Sequence, residues 1–108
     1  MRDFTVTAAH HPGGTVVTVC GEMDLDTSPQ VEEIAAALPV GNETVCLDLS
    51  AVPFLDSMGL NTLLRLRRRV RTHGGRLLLA GLQTQPSDVL HLTETYVLFD
   101  TGVSPAPR

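Results

Sequence analysis

Leu47-Asp48-Leu49-Ser50-Ala51-Val52-Pro53-Phe54-Leu55-Asp56-Ser57-Met58-Gly59-Leu60 passes from one structural period to another within a few residues. Upstream, Thr44-Val45-Cys46-Leu47-Asp48-Leu49 is β-branched and apolar and reads as a buried strand. Ser50 to Asp56, with Pro53 inside it, reads as a short loop. From about Met58 to His73 apolar residues recur at helical spacing (Leu60, Leu63, Leu64, Val70), and Gly74-Gly75 closes the helix. A strand handed to a helix through a short loop is half of an α/β unit.

Working outward, Phe4 to Ala9 and Thr15 to Cys20 are β-branched runs on either side of His10-His11-Pro12-Gly13-Gly14, which predicts a β-hairpin. Thr27-Ser28-Pro29 supplies hydroxyl caps and a first-turn proline. Val31, Ile34, Ala35 and Leu38 then carry a first helix as far as Pro39 and Gly41. After the central helix, Arg76 to Ala80 predicts a strand ended by Gly81, and Pro86-Ser87-Asp88 opens a third helix with Val89, Leu90 and Leu92. Tyr96-Val97-Leu98-Phe99 reads as a last short strand. The end of the chain, from about residue 101 and including Ser104-Pro105-Ala106-Pro107-Arg108, reads as a frayed tail. The order β-β-α-β-α-β-α-β predicts an α/β fold: one mixed sheet, an N-terminal hairpin plus parallel strands, covered by helices, with residues 1–108 as a single domain. On the central helix Arg67 falls inside the apolar arc, which predicts a stem along apolar surface and a head in water.

Composition narrows the functions. The 108 residues hold 12 acidic and 8 basic side chains, a formal charge of −4, with 43% apolar residues, enough for a modest core and too little charge to keep the chain unfolded. No apolar run approaches the roughly 18 to 20 residues of a membrane span, and Met1-Arg2-Asp3-Phe4 does not resemble a secretory leader, so a cytosolic protein is expected. Cys20 and Cys46 sit in apolar runs as small hydrophobes and are expected to be reduced. Six arginines (Arg65, Arg67, Arg68, Arg69, Arg71, Arg76) cluster, as do the acids Glu22, Asp24, Asp26, Glu32 and Glu33. With no Trp and one Tyr to stack on bases, no nucleic-acid partner is expected. His10-His11 lacks a third ligand at a metal spacing, and neither Gly13-Gly14 nor Gly74-Gly75 opens a helix over a phosphate, so neither metal nor cofactor is expected.

The chemistry concentrates at Asp56-Ser57, directly before the central helix, where either residue can serve as N-cap; removing a cap costs about 0.5 to 2 kcal/mol. A serine there is open to a kinase, and a phosphate would meet first-turn amides and the positive end of the helix dipole. It would also bring about −1.5 to −2 charge beside Asp56, enough to repel a partner fitted to the bare hydroxyl.

Gly21-Glu22-Met23-Asp24 with Thr27 and Pro29, together with Leu47-Asp48-Leu49-Ser50 and Phe54-Leu55-Asp56-Ser57-Met58-Gly59-Leu60, resembles the signature of STAS domains, in particular those of bacterial anti-sigma factor antagonists. The likeness extends over nearly the whole chain, through Gly74-Gly75 and Arg76-Leu77-Leu78-Leu79 to Val89-Leu90-His91-Leu92-Thr93. It implies that Ser57 is the serine phosphorylated by the anti-sigma factor acting as an ATP-dependent kinase, and that Asp24 is the acid beside it that supports phosphorylation and binding. Asp56 and Gly59 match the frame around that serine, with Gly59 allowing the partner a close approach. The unphosphorylated antagonist would bind the anti-sigma factor and free a sigma factor; a PPM-type phosphatase would reverse the modification. Met58 departs from the small residue common at that position; an apolar contact with the partner and a half-buried core residue are equal readings of it. The contact surface is expected over Phe54 to Ser57, the first turns of the central helix (Met58, Asn61, Thr62, Arg65) and the Glu22 to Ser28 loop.

Two rivals belong to other classes. A STAS domain can also be a non-phosphorylated adaptor or sensor subunit, for instance of a lipid-transport ATPase complex. A small serine hydrolase would use the same strand-turn-serine-helix geometry, but Asp-Ser-Met-Gly is not Gly-x-Ser-x-Gly, and His73 lies roughly 24 Å along the helix. His91 is the remaining candidate base. The sequence is therefore read as a regulatory module and not an enzyme.

Overall fold

In the computed structural model, which describes residues 3–38, 41 and 43–103, the chain opens as a hairpin. Strands β1 (Thr5–His11) and β2 (Gly14–Cys20) pair antiparallel from Thr5 opposite Cys20 to His11 opposite Gly14. The turn is tighter than expected: only Pro12 and Gly13 lie outside the ladder, and His10 and His11 belong to β1. Pro12 presets one dihedral and Gly13 takes φ 87°, a combination that closes a two-residue turn without consuming strand residues.

Helix α1 (Ser28–Ala37), strand β3 (Thr44–Ala51), helix α2 (Ser57–Thr72), strand β4 (Arg76–Ala80), helix α3 (Thr84–Leu92) and strand β5 (Asp100–Gly102) follow. The sheet runs β1-β2-β3-β4-β5 in space, parallel from β2 onward. Because chain order and spatial order coincide, right-handed crossovers put all three helices on the same face. Val17, Leu47 and Leu79, neighbours across the ladder, lie on that face and are buried with Val31, Leu63 and Leu90 from the three helices. Ala9, Val16, Thr18 and Cys46 point to the other face, where Ala9 is exposed and Val16 and Thr18 are half-buried.

Three expectations are corrected at the C-terminal end. Helix α3 starts at Thr84, two residues before Pro86, because a proline in the first turn lacks only an amide that has no helical partner there. Tyr96–Leu98 is a 3-10 turn and the strand comes after it, at Asp100–Gly102. Glu94 takes φ 60° to leave α3, and the turn then swings Phe99 into the core at 7% exposure while Val97 stays 86% exposed. Burying one aromatic ring outweighs the strand propensity of Tyr, Val and Phe. Thr101 and Gly102, expected in the frayed tail, pair with Leu79 and Ala80; Pro39 and residues 104–108 lie outside the described residues.

Arg67 differs from expectation at its head. Its Nε donates to the Leu98 carbonyl at 2.7 Å and pins the 3-10 turn to α2. Both cysteines are free thiols; burial, reinforced by the charge of Asp48, raises the Cys46 pKa above its ordinary value, so it stays protonated at neutral pH.

Gly59, in the first turn of α2, shows why the loop and the helix fit so closely. A Cβ there would lie 2.6 Å from the Met23 carbonyl oxygen and 2.5 Å from Leu55 Cδ1. Alanine is favoured over glycine in a helix by about 1 kcal/mol, whereas forcing an atom into packed backbone costs about 1 to 3 kcal/mol. The clash should win, so Gly59→Ala is expected to lower the midpoint of urea unfolding, against the direction that helix propensity alone predicts.

Candidate functional site

Two loops at the C-terminal end of the parallel strands build the site. The chain leaving β2 runs beside the chain leaving β3: Gly21 N–H donates to Ala51 O (2.9 Å), Met23 N–H to Phe54 O (2.9 Å) and Asp56 N–H to Met23 O (3.1 Å). Met23 and Leu55 thus form an isolated parallel bridge, with both side chains buried. On the other side of Leu55, the Gln85 side chain of α3 accepts from Leu55 N–H at 2.8 Å and donates to Leu55 O at 3.1 Å. An amide side chain here replaces a missing neighbour strand. Gln83 repeats the device by donating to Ser50 O at 2.8 Å. Sequence reading missed both glutamines, because a partner some 30 residues away leaves no local signal.

Of the two candidate caps, Asp56 is the N-cap. Its Oδ1 accepts from Met58 N–H (2.9 Å) and Gly59 N–H (3.0 Å), while Ser57 is the first residue of α2 and is exposed. Ser57 is therefore free of structural duty as a cap. The first-turn amides that a phosphate would seek are already held by Asp56.

Asp24 organises the facing loop. Although only 9% exposed, its Oδ1 accepts from the amides of Asp26 (3.0 Å) and Thr27 (3.1 Å), and the Thr27 hydroxyl in turn accepts from Asp24 N–H (2.9 Å) and donates to Glu22 O (2.6 Å). Thr27 was expected to cap α1. Its hydroxyl is committed to the loop, and Ser28, 1% exposed, has no partner for its own.

The expected contact residues divide. Met58 is half-buried and Asn61 exposed, close to Ser57 on the first turns of α2. Gly59 and Thr62 face inward: Gly59 is spaced for the Met23 backbone instead of a partner, and Thr62, 1% exposed, donates to Met58 O at 3.1 Å. Arg65 reaches Glu32 of α1 at 2.8 Å, an exposed pair that ties two helices and contributes little to stability. Two apolar side chains stand out on the two paired loops, Phe54 at 40% exposure and Leu25 at 64%. Leu25 was not singled out in the sequence; an isolated leucine between two aspartates is the signal that marks it.

His91, the remaining candidate base for a hydrolase, stacks on Tyr96 with ring centroids 4.0 Å apart and has Nδ1 2.9 Å from Ser87 O. Among the described residues no three His, Cys, Asp or Glu gather to hold a metal, and no helix is long and apolar enough to cross a membrane.

The STAS domain family matches residues 5–104. The chain belongs to that family. It is 34% identical over 101 residues to the anti-sigma-F factor antagonist RsfB of Mycobacterium tuberculosis, covering 91% of this chain and 83% of that protein. Among solved structures, an anti-sigma factor antagonist from Mycobacterium paratuberculosis superposes with a TM-score of 0.75 at 30% identity, over 96% of this chain and 87% of that one. A STAS domain protein from Planctomyces limnophilus gives a TM-score of 0.72 at 19% identity, over 92% and 90% of the two chains. The mixed α/β sheet expected from the sequence is thus the STAS fold.

The cap assignment yields a prediction that separates the two residues of this STAS domain. Asp56→Ala should cost about 0.5 to 2 kcal/mol. Ser57→Ala should change stability by less than about 0.5 kcal/mol, contrary to the loss expected were Ser57 the cap. Denaturant unfolding of both variants measures the difference.

Proposed function

We propose that this STAS domain is an anti-sigma factor antagonist whose binding face centres on Ser57 and is switched off when that hydroxyl is phosphorylated. The observation that carries the reading is the placement of Ser57: exposed, first in α2, relieved of the capping role by Asp56, at the end of two paired loops that carry the exposed side chains of Phe54 and Leu25. The similarity to RsfB, named as an anti-sigma-F factor antagonist, supports it.

The mechanism follows from charge and fit. The bare face offers apolar anchors, Leu25, Phe54 and Met58, around one small hydroxyl, with Asp24 holding the adjoining loop in shape. An anti-sigma factor would bury these anchors, which are the side chains able to act as hot spots here, while Asn61 and the rim exclude water. Acting as an ATP-dependent serine kinase, the same partner would transfer the γ-phosphoryl group of ATP to Ser57 Oγ, breaking its bond to the bridging oxygen and releasing ADP and the hydroxyl proton. The product carries about −1.5 to −2 charge at a place where Asp56 already occupies the nearest amides. With those amides taken, the phosphate is left facing the partner, and like charge and lost fit end the complex. A PPM-type phosphatase would restore the hydroxyl, and the whole cycle would run in the cytosol.

Incubation with a candidate anti-sigma kinase and ATP should add about 80 Da to the peptide containing Ser57. Ser57→Ala should abolish that gain and still bind, whereas Ser57→Asp should weaken binding at least about tenfold, roughly 1.4 kcal/mol. Wild-type affinity in Ser57→Asp would remove the electrostatic step. Lack of phosphorylation by every serine kinase of the host would favour the adaptor role instead. Replacing an apolar anchor tests the docking surface separately: Leu25→Asp should reduce affinity about tenfold or more, because its side chain is already exposed and the fold does not depend on it.

A further inference from the structure

The arginines of α2 separate into two groups. Arg65 and Arg69 turn to α1, reaching Glu32 Oε1 at 2.8 Å and Ala36 O at 3.2 Å. Arg67, Arg68 and Arg71 lie on the side facing the 3-10 turn and, with Leu64, Thr72 and Leu98, line a groove of about 440 Å³. No acidic residue lines it. Arg67 spends one N–H on Leu98 O at 2.7 Å, and neither the Arg68 nor the Arg71 guanidinium makes a hydrogen bond or ion pair to another described residue. Leu98, which lines the groove, is 42% exposed, and Val97, its neighbour in the 3-10 turn, is 86% exposed. Arginine near the end of α2 complements the helix dipole, which accounts for positive charge in the last turn but not for the exposed valine and leucine beside it.

We infer that this groove is a second docking surface, for a protein segment that presents carboxylates alongside apolar side chains. Three guanidinium forks around a depression match carboxylates in geometry and sign. Val97 and Leu98 need an apolar counterpart that a nucleic-acid backbone does not offer, and no aromatic ring lines the groove to stack on a base. A concave site also receives a protruding side chain better than it meets a bilayer surface. Arg68 and Arg71 stand eleven and fourteen residues along α2 from Ser57, about 16 and 21 Å at 1.5 Å per residue. The two surfaces can therefore be occupied together, and the inference does not rest on the role proposed for Ser57.

The test uses a short synthetic helical peptide with glutamate on one face and leucine on the other, titrated into the full chain at low salt. Wild type should bind it, and Arg68→Glu with Arg71→Glu should weaken binding at least about tenfold; Val97→Ser with Leu98→Ser should also weaken it. Should the charge reversal unfold the chain, judged by thermal melting, the Arg68→Gln, Arg71→Gln pair should show the same loss in a folded protein. Any of three results would overturn the inference: equal affinity for a peptide with serine in place of leucine, tighter binding to phosphatidylglycerol vesicles or single-stranded RNA, or no binding at all. Phosphorylation at Ser57 should be unchanged in the folded arginine variants. Its loss there would merge the two surfaces and reject a separate site, whereas failure of wild type to be phosphorylated bears on Ser57 alone.

Discussion

The backbone of Leu55 is the constraint on which the site depends. Between β3 and α2 the chain has left the sheet, and the Leu55 amide and carbonyl would be buried without partners had the Gln85 side chain not approached; on the other side Met23 pairs with the flanking Phe54 carbonyl and Asp56 amide. An unsatisfied buried backbone group costs about 1 to 3 kcal/mol, comparable to the effect of a serious core mutation. The two bonds from Gln85 and the bridge to Met23 therefore hold the loop at a defined height above the sheet, and Asp56 and Ser57 inherit that position. Gly59 completes the arrangement by letting α2 begin in contact with the Met23 carbonyl.

Division of labour between adjacent residues follows. Asp56 is committed to the helix terminus, so Ser57 can change its chemistry without the helix losing a cap. Asp24 and Thr27 do the same for the facing loop by bonding reciprocally. The frame of this loop is built from the neighbours of Ser57 and not from Ser57 itself, as the proposed modification of its hydroxyl would require.

Most of the architecture was legible because it rests on local periodicity. The alternation of Thr15 to Cys20 and the spacing of Leu60, Leu63 and Val70 each bury one face, the run Val45 to Leu49 is buried throughout, and their order dictates parallel pairing with crossovers. The site was legible in part. Asp56-Ser57 before an apolar-periodic helix marked a helix terminus, and the resemblance to STAS domains pointed to the same serine; the family match over residues 5–104 supports that assignment of family. Local signals failed where a long-range contact decided the outcome. Tyr96 to Phe99 carries strand-forming residues, yet it turns so that Phe99 reaches the core; Thr62 sits near the serine in sequence, yet its side of α2 faces inward.

Sequence by itself determined the alternation of strands and helices, a hairpin turn somewhere within His10 to Gly14 and the location of a serine at the start of α2, since each follows from side-chain period or from the dihedral limits of proline and glycine. Tertiary structure alone decided which of Asp56 and Ser57 caps the helix, which glutamine closes the ladder on Leu55, and that Gly59 serves the Met23 backbone. Those choices depend on atoms brought together from distant parts of the chain, and hydrogen bonding at about 3 Å is set by packing that no local window of residues contains.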